Sequence, residues 1–195
     1  MHKYIPNLFI FLDQYNSCIF KNNNTNIGII YRNYKSKKRE EELIKVANAC
    51  KKKRYRLYVS NNITLATKVK ADGIYIPSFN KSNQFRNLEN KNLIVLGSAH
   101  NQKEIQEKIR QNCKAIFLSP LFDVKKSNYS LGIFKFNSLT VKNNISFFAL
   151  GGINKKNIYK IKMLNIKGIA GIRMFKKKPA FKRPVFIKKK FFLNI

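Results

Sequence analysis

The chain carries two apolar stretches that end in glycine, ALGGIN at residues 149–154 and GIAGI at residues 168–172. Each is typical of a β-strand whose end lets backbone N–H groups approach a ligand, because glycine has no Cβ in the way. One helix-length segment separates them, as in a (β/α)8 barrel that builds a phosphate site from its last two βα loops. The pattern predicts a phosphate site, and the alternative is two buried strands with tight turns and no ligand.

Upstream of these stretches, short β-rich runs alternate with lysine-rich segments of helical length. Several runs are continuously apolar, which is typical of strands covered on both faces. The predicted strands are 8–12, 27–31, 57–60, 73–76, 93–96, 115–118, 146–150 and 168–172. The predicted helices are 38–53, 63–70, 101–111 and 154–165, the last with Asn154 as its N-cap. Eight such units favour an α/β fold, a single (β/α)8 TIM barrel over residues 1–175, with a doubly wound open sheet as the alternative.

The segment 176–195 departs from this pattern, because it is basic and aromatic and contains two prolines that break any long helix. We expect an irregular tail that replaces the eighth outer helix and packs on the barrel through Phe181, Val185 and Phe191. An oligomer contact, or an arm that binds nucleic acid or a membrane surface, is the alternative.

The charge of the chain is strongly positive, with 40 Lys and Arg against 9 Asp and Glu and a formal net charge of +31. Such an excess suggests an anionic partner such as nucleic acid. The basic residues are spread along the whole chain, however, and the abundance of Lys, Asn, Ile and Phe is equally typical of codons built from A and T. Either explanation accounts for a basic protein of this composition.

The cysteines and the N-terminal apolar run bear on location. Cys18, Cys50 and Cys113 are far apart in sequence, which favours a reducing compartment without disulfides. The apolar run 4–12 is too short to span a bilayer. We therefore expect a cytoplasmic protein with no signal peptide and no membrane span.

Candidate catalytic side chains are few. Asp72 precedes a predicted strand, where a turn role is favoured, whereas Asp123 follows predicted strand six and is the best single acid. His100 follows predicted strand five and is either a loop residue or a site residue. No zinc spacing, Walker loop or GxSxG element occurs in the sequence.

Amide, hydroxyl and basic residues collect after the predicted strands. They are Arg32, Lys35, Ser60, Asn61, Asn62, Ser78, Asn80, Ser98, Ser119, Lys125, Lys126, Ser127, Gly151, Gly152 and Gly171. Lys, Ser, Asn and bare backbone N–H groups all complement phosphate oxygens. Together they predict a pocket for a phosphorylated or diphosphorylated small molecule.

Six segments, in chain order over residues 27–173, resemble motifs of the thiamine phosphate synthase family and its thiazole-tautomerase-like relatives. They are IYRNYK (30–35) for Q-x-R-x-K, YVSNN (58–62) for I-N-D, ADGIYI (71–76) for A-D-G-V-H-L, LGSAH (96–100) for G-x-S-x-H, SPLF (119–122) for G-P-V-F and ALGGI (149–153) for A-I-G-G-I. The resemblance implies a TIM-barrel transferase of thiamine biosynthesis. Such an enzyme joins hydroxymethylpyrimidine diphosphate to thiazole phosphate and releases pyrophosphate.

The resemblance also implies roles for particular residues. Pyrophosphate would be held by Arg32, Lys35, Asn61, Ser98, Lys125 and Lys126. Thiazole phosphate would be held through the backbone of Gly151, Gly152, Gly171 and Ile172. The cofactor implied is Mg²⁺, although the two family aspartates that bind it fall on Asn62 and Asn80.

The chain also departs from the family pattern. The amides of Asn62 and Asn80 bring no negative charge to Mg²⁺, which prefers carboxylates. The glutamine of strand two falls on Ile30, and the histidine of the tautomerase-like relatives falls on Ser119. The alternatives are a barrel that binds thiazole phosphate or thiamine phosphate without the synthase step, as a tautomerase-like or regulatory protein, and a nucleic-acid or surface-binding protein. A homo-oligomer is compatible with each.

Overall fold

Eight parallel strands follow one another in chain order around a closed barrel. The computed structural model describes residues 4–21, 26–34, 36–124 and 129–171. The strands are β1 Leu8–Leu12, β2 Ile27–Tyr31, β3 Arg56–Ser60, β4 Gly73–Ile76, β5 Ile94–Ala99, β6 Ala115–Leu118, β7 Ser146–Leu150 and β8 Gly168–Gly171. Because β1 pairs with both β2 and β8, no strand edge is open. The predicted TIM barrel is confirmed, and the doubly wound alternative is wrong.

The helices that connect the strands are short. The α-helices are α1 Arg39–Lys53, α2 Ile63–Lys68, α3 Gln102–Arg110 and α4 Gly132–Val141. Short 3-10 helices cover Ile19–Lys21, Asn83–Phe85, Leu88–Lys91 and Ile158–Met163. Of the described helices, none is long and apolar enough to cross a membrane.

The predicted α-helix at 154–165 is wrong, because the chain there forms only the 3-10 helix Ile158–Met163. Asn154 does not cap that helix. Its Oδ1 accepts the Lys156 N–H at 2.8 Å, and its Nδ2 donates to the Gly152 carbonyl at 3.1 Å. Asparagine side chains that bond their neighbouring backbone in this way compete with helix formation.

Aromatic rings fill the inside of the barrel. The ring of Phe9 meets those of Phe117 and Phe148 edge to face, each at 5.0 Å between centroids. Gly28 faces the same ring, and a Cβ there would lie 2.3 Å from Phe9 Cε1. The barrel is therefore a packed core, which leaves room for a ligand only where the strands end.

Asp72 lies at the amino ends of the strands, away from the loops that follow them. Its Oδ1 lies 2.5 Å from Arg56 Nη1, and its Oδ2 accepts the Leu57 N–H at 2.9 Å. This carboxylate ties the start of β4 to the start of β3, which is a structural role.

Candidate active site at the carboxyl ends of the strands

A cavity of about 500 Å³ opens where the strands end. We call it the mouth cavity. Its lining residues are Asp13, Arg32, Asn33, Tyr34, Tyr75, Pro77, Ser78, Phe79, Ser98, His100, Ser119 and Leu150. Its volume is within the range of roughly 300–1,000 Å³ that small-molecule sites occupy, and its position is the one that barrel enzymes use.

Arg32 brings a positive charge to the mouth cavity. Its Nε lies 3.3 Å from Asp13 Oδ1, with the two side chains 33% and 47% exposed, and its guanidinium carbon lies 5.5 Å from the centroid of the Phe11 ring. An ion pair this open leaves the guanidinium able to bind an anion. Asp13 was not predicted to be a site residue. It is nevertheless the first residue after β1, and the other candidates were chosen because they follow a predicted strand.

Tyr34 is held in place at the rim. Its hydroxyl lies 2.5 Å from Ser60 Oγ, and the Arg39 guanidinium carbon lies 5.6 Å from its ring centroid. Arg39 Nη2 also donates to the Ser60 carbonyl at 2.5 Å. Burial raises the pKa of Tyr34, so the phenol stays neutral and its ring is fixed by these two neighbours.

His100 connects two loops that line the mouth cavity. Its Nδ1 lies 2.7 Å from the Ser119 carbonyl oxygen. A carbonyl only accepts, so Nδ1 donates its proton there. Its Nε2 lies 3.2 Å from Ser78 Oγ, and in the neutral form of the ring that nitrogen carries the lone pair and accepts from the hydroxyl. Of the two interpretations of His100 from sequence, the geometry favours a site residue, since it gives the cavity a proton-accepting nitrogen.

Ser98, which was predicted, lines the mouth cavity, whereas the three predicted asparagines do not. Asn62 Oδ1 accepts the Leu65 N–H at 2.8 Å and so caps α2. Asn80 Oδ1 accepts the Ser82 N–H at 2.8 Å, and its Nδ2 donates to Asn61 Oδ1.

The residues present do not fit a magnesium ion held by the protein. The amide oxygens of Asn62 and Asn80 already accept backbone N–H groups and are neutral. Within the described part of the chain, no group of three or more His, Cys, Asp or Glu side chains could hold a metal ion. Hard cations prefer carboxylate oxygens, which bring negative charge.

A buried lysine braces the segment that follows β4. We call residues 77–82 the β4 loop. Lys108 is fully buried, and its Nζ donates to the Asn80 carbonyl at 2.7 Å and to Gln111 Oε1 at 2.9 Å. Gln111 Nε2 donates to the Ser82 carbonyl at 2.8 Å. Burial lowers the pKa of Lys108. The signal in the sequence is a lysine three residues after the buried Ile105 on one face of α3.

Backbone conformation and close packing explain why glycine is required at the two positions that follow β7. Gly151 and Gly152 have φ of +95° and +69°, values that disfavour any other residue. A Cβ on Gly152 would lie 2.4 Å from the Phe122 carbonyl oxygen. The loop after β6 therefore occupies the space that the missing side chain leaves. Gly171 is the last residue of β8, and phosphate binding by these glycines stays a prediction.

Several predicted residues lie elsewhere. Asp123 is exposed, accepts the Ser130 hydroxyl at 2.6 Å and does not line the mouth cavity. Lys35, Lys125, Lys126 and Ile172 lie outside the described residues, as does the tail at 176–195.

Comparison with known proteins identifies the family. A family model described as thiamine monophosphate synthase matches residues 24–175. A thiamine-phosphate synthase of Prochlorococcus marinus is 34% identical over 134 residues, which cover 67% of this chain and 39% of that protein. A putative thiamine-phosphate synthase 2 of Aquifex aeolicus is 29% identical over 143 residues, covering 70% of this chain and 77% of that one.

The fold has a counterpart among solved structures. A thiamine phosphate pyrophosphorylase from Pyrococcus furiosus superposes with a TM-score of 0.72 at 17% identity, covering 89% of each chain. The chain spans only 38–39% of the length of the Prochlorococcus relatives that it matches. Its match to the family model nevertheless covers most of the barrel, from before β2 to the end of β8. The chain therefore belongs to the thiamine monophosphate synthase family.

Proposed function

We propose that this chain makes thiamine phosphate by joining hydroxymethylpyrimidine diphosphate to thiazole phosphate, with release of pyrophosphate. The observation that carries the proposal is the mouth cavity, which combines a guanidinium, hydroxyls and aromatic rings where the strands of a family member end. The curated relatives are named thiamine-phosphate synthases, which supports the same activity.

In the proposed reaction, the bond between the pyrimidine methylene carbon and the diphosphate oxygen breaks, and the thiazole nitrogen bonds to that carbon. The leaving pyrophosphate takes the electron pair of the broken bond. Arg32 and Ser98 line the cavity, and we assign them to this developing charge, because fixed donors stabilise an anion that forms beside them. The family resemblance adds Asn61, Lys35, Lys125 and Lys126 to this pyrophosphate set, of which Asn61 does not line the mouth cavity. Backbone N–H groups of Gly151, Gly152, Gly171 and Ile172 hold the thiazole phosphate.

The main difference that we propose between this chain and its family is the way in which the negative charge of the diphosphate is neutralised. The family resemblance implies Mg²⁺, but Asn62 and Asn80 are neutral and already hydrogen-bonded. We therefore assign neutralisation of the diphosphate to the basic side chains. A protein with a net charge of +31 has these in excess.

The test is to incubate the purified protein with both substrates and to measure thiamine phosphate, with Mg²⁺ and with EDTA. We expect product in both conditions. Arg32→Met should lower kcat/KM about 30-fold, which corresponds to about 2 kcal/mol for a hydrogen bond to a charged group. Arg110→Met, on the outer face of α3, is the matched control and should not change it. A folded wild-type protein that makes no product would exclude synthase activity.

His100 favours a second candidate, a tautomerase-like barrel that moves a proton on a thiazole phosphate. Its Nε2 lone pair faces Ser78 at the cavity, and its Nδ1 contacts Ser119, the position of the catalytic histidine in the tautomerase-like relatives. A neutral imidazole so oriented accepts a proton. Deuterium incorporation into thiazole phosphate in D₂O, without the pyrimidine, should occur with wild type and not with His100→Gln. Equal incorporation by both proteins would reject this candidate.

A further inference from the structure

We propose that Phe79 is the stacking platform for the heteroaromatic ring of the substrate, and so a specificity-determining residue of the mouth cavity. The inference rests on the proposed function, because the ring it assigns is the pyrimidine of the diphosphate substrate. Phe79 lines the cavity and is 68% exposed. A large apolar side chain exposed inside a ligand-sized cavity marks a contact for an apolar part of a ligand.

Phe79 is exposed on a braced backbone. The Asn80 carbonyl, next to it, accepts from Lys108 Nζ at 2.7 Å and from Gln111 Nε2 at 3.1 Å. Gln111 also holds the Ser82 carbonyl, and the Asn80 N–H returns to the Pro77 carbonyl at 3.1 Å. These bonds fix the β4 loop on both sides of Phe79. The loop therefore holds the backbone that carries Phe79 in one place, which preorganises the start of its side chain for a contact.

The neighbours of Phe79 favour a flat ligand. The Tyr34 ring lies 6.1 Å away at 74°, and it is itself fixed by Ser60 and Arg39. Two rings at this angle form a corner, so a planar ring can stack on one and meet the edge of the other. The two sides of the corner come from separate loops, after β2 and after β4.

The charge in the same cavity sets the class of ligand. Arg32 lines the cavity together with Phe79 and Tyr34. A guanidinium beside an aromatic corner suits a molecule that has a flat heterocycle at one end and a phosphate or diphosphate at the other. Hydroxymethylpyrimidine diphosphate has this form, whereas inorganic pyrophosphate has the charge without the ring.

The chain contains no tryptophan, so Phe79→Trp creates a single fluorescent reporter at the platform. Hydroxymethylpyrimidine diphosphate should quench this fluorescence in a saturable way, and pyrophosphate should bind with little quenching. The matched control is Phe134→Trp, at a phenylalanine that is 89% exposed on α4 and does not line the cavity. Its fluorescence should respond to neither ligand.

A second variant separates a platform from a merely structural residue. Phe79→Ala should raise the KM for hydroxymethylpyrimidine diphosphate about five- to tenfold, as expected for an aromatic pair, with kcat changed less than twofold. Phe79→Tyr should restore the wild-type KM, since it keeps the ring. Binding of pyrophosphate, measured by calorimetry, should be the same in the wild type and in Phe79→Ala.

The outcomes distinguish this inference from the proposed function. Product formation with an unchanged KM in Phe79→Ala and no quenching in Phe79→Trp would overturn the platform and leave the synthase. Saturable quenching without any product would support the platform and overturn the synthase. Absence of pyrimidine diphosphate binding to the wild type, measured by calorimetry, would overturn both.

Discussion

Lys108 is a single buried residue on which the geometry of the mouth cavity depends. Within the part of the chain that the structure describes, its ammonium is held by the Asn80 carbonyl and the Gln111 amide oxygen and by no carboxylate. Lys108→Met keeps the aliphatic stem but leaves Gln111 Oε1 buried without that donor. We expect the free energy of unfolding to fall by about 1–3 kcal/mol, measured by urea denaturation.

The matched control for Lys108 is Lys103→Met, because Lys103 is an exposed lysine on the same helix. It should change the unfolding free energy by less than about 0.5 kcal/mol. A Lys108 variant as stable as this control would show that the buried hydrogen bonds do not brace the β4 loop.

Substitution of Asn62 and Asn80, where the family resemblance expects the two Mg²⁺-binding aspartates, tests whether a metal site can be built here. Asp at position 62 keeps the helix cap and adds favourable charge at the start of α2. The double variant Asn62→Asp and Asn80→Asp should bind Mg²⁺ more tightly than wild type, because it supplies two carboxylates. Calorimetric titration with MgCl₂ measures this. Equal heats for the two proteins would mean that the two side chains do not meet at one site.

The site residues that could be predicted from sequence are polar residues at the end of a strand, such as Arg32, which directly follows β2, and Ser98, the second-last residue of β5. Strand ends fix their position, so spacing along the chain is enough. Tyr34 and Phe79 also line the mouth cavity, but each lies three residues beyond the end of its strand. Tyr34 is held by Ser60 at the end of β3, and the backbone beside Phe79 is held by Lys108 on α3, so both depend on contacts between distant parts of the chain. Such contacts leave no periodic pattern in a sequence.

At the scale of elements, the loops after β6 and β7 form one packed unit. The Leu121 N–H donates to the Leu150 carbonyl at 2.9 Å, and the Phe122 N–H donates to the Gly151 carbonyl at 3.2 Å. Gly152→Ala should therefore destabilise the protein twice over, through its φ of +69° and through a contact 2.4 Å from the Phe122 oxygen.

Gly132 gives the matched control for Gly152, because its φ is +63° and, among the described residues other than its chain neighbours, no atom lies within 4 Å of a Cβ placed there. Gly132→Ala should cost about 1–2 kcal/mol from backbone strain alone. Gly152→Ala should lower the free energy of unfolding by about 2 kcal/mol more than Gly132→Ala does, because the added methyl group overpacks the loop after β6. Thermal unfolding compares the two variants, and equal losses would show that the loop after β6 moves away freely.

The barrel was predictable because strand signals in this chain are strong and local. Six of the predicted strands begin at the observed residue, and the other two, β3 and β5, differ by one residue. Helix signals are weaker. Helix α4 was not predicted, since it begins at Gly132 after Leu131, with no side-chain cap. The 3-10 helix Ile158–Met163 was predicted as an α-helix, because apolar spacing does not report how asparagines 154 and 157 bond the Gly152 carbonyl.

For the whole molecule, buried thiols and phenols predict a loss of stability at high pH. Burial raises the pKa of Cys113 from 9.0 to about 12, and it raises the pKa of Cys50 further. Between pH 9 and about 12 the unfolded chain releases these protons and the folded chain keeps them. The free energy of unfolding should then fall by about 1.4 kcal/mol per pH unit for each such group.

One buried group acts in the opposite direction. Burial lowers the pKa of Lys108 below 10.5, so between its folded pKa and 10.5 the unfolded chain binds the extra proton, and stability rises with pH in that window. Urea denaturation in reductant from pH 8 to pH 11 measures the sum. Cys113→Ala should reduce the slope of the unfolding free energy against pH by about 1.4 kcal/mol per pH unit, which corresponds to one proton. An unchanged slope in Cys113→Ala would contradict the assignment.

The seam between β1 and β8 has a consequence for synthesis in the cell. Leu8 pairs with both Ile27 and Ile169, so β1 is synthesised before β8 and its second edge stays uncovered until β8 has been made. Until residue 171 has emerged, the nascent chain is an open sheet with two exposed edges that other nascent chains can join. Ribosome-bound chains that stop before β8 should therefore recruit chaperones, and release should follow only when the ring closes.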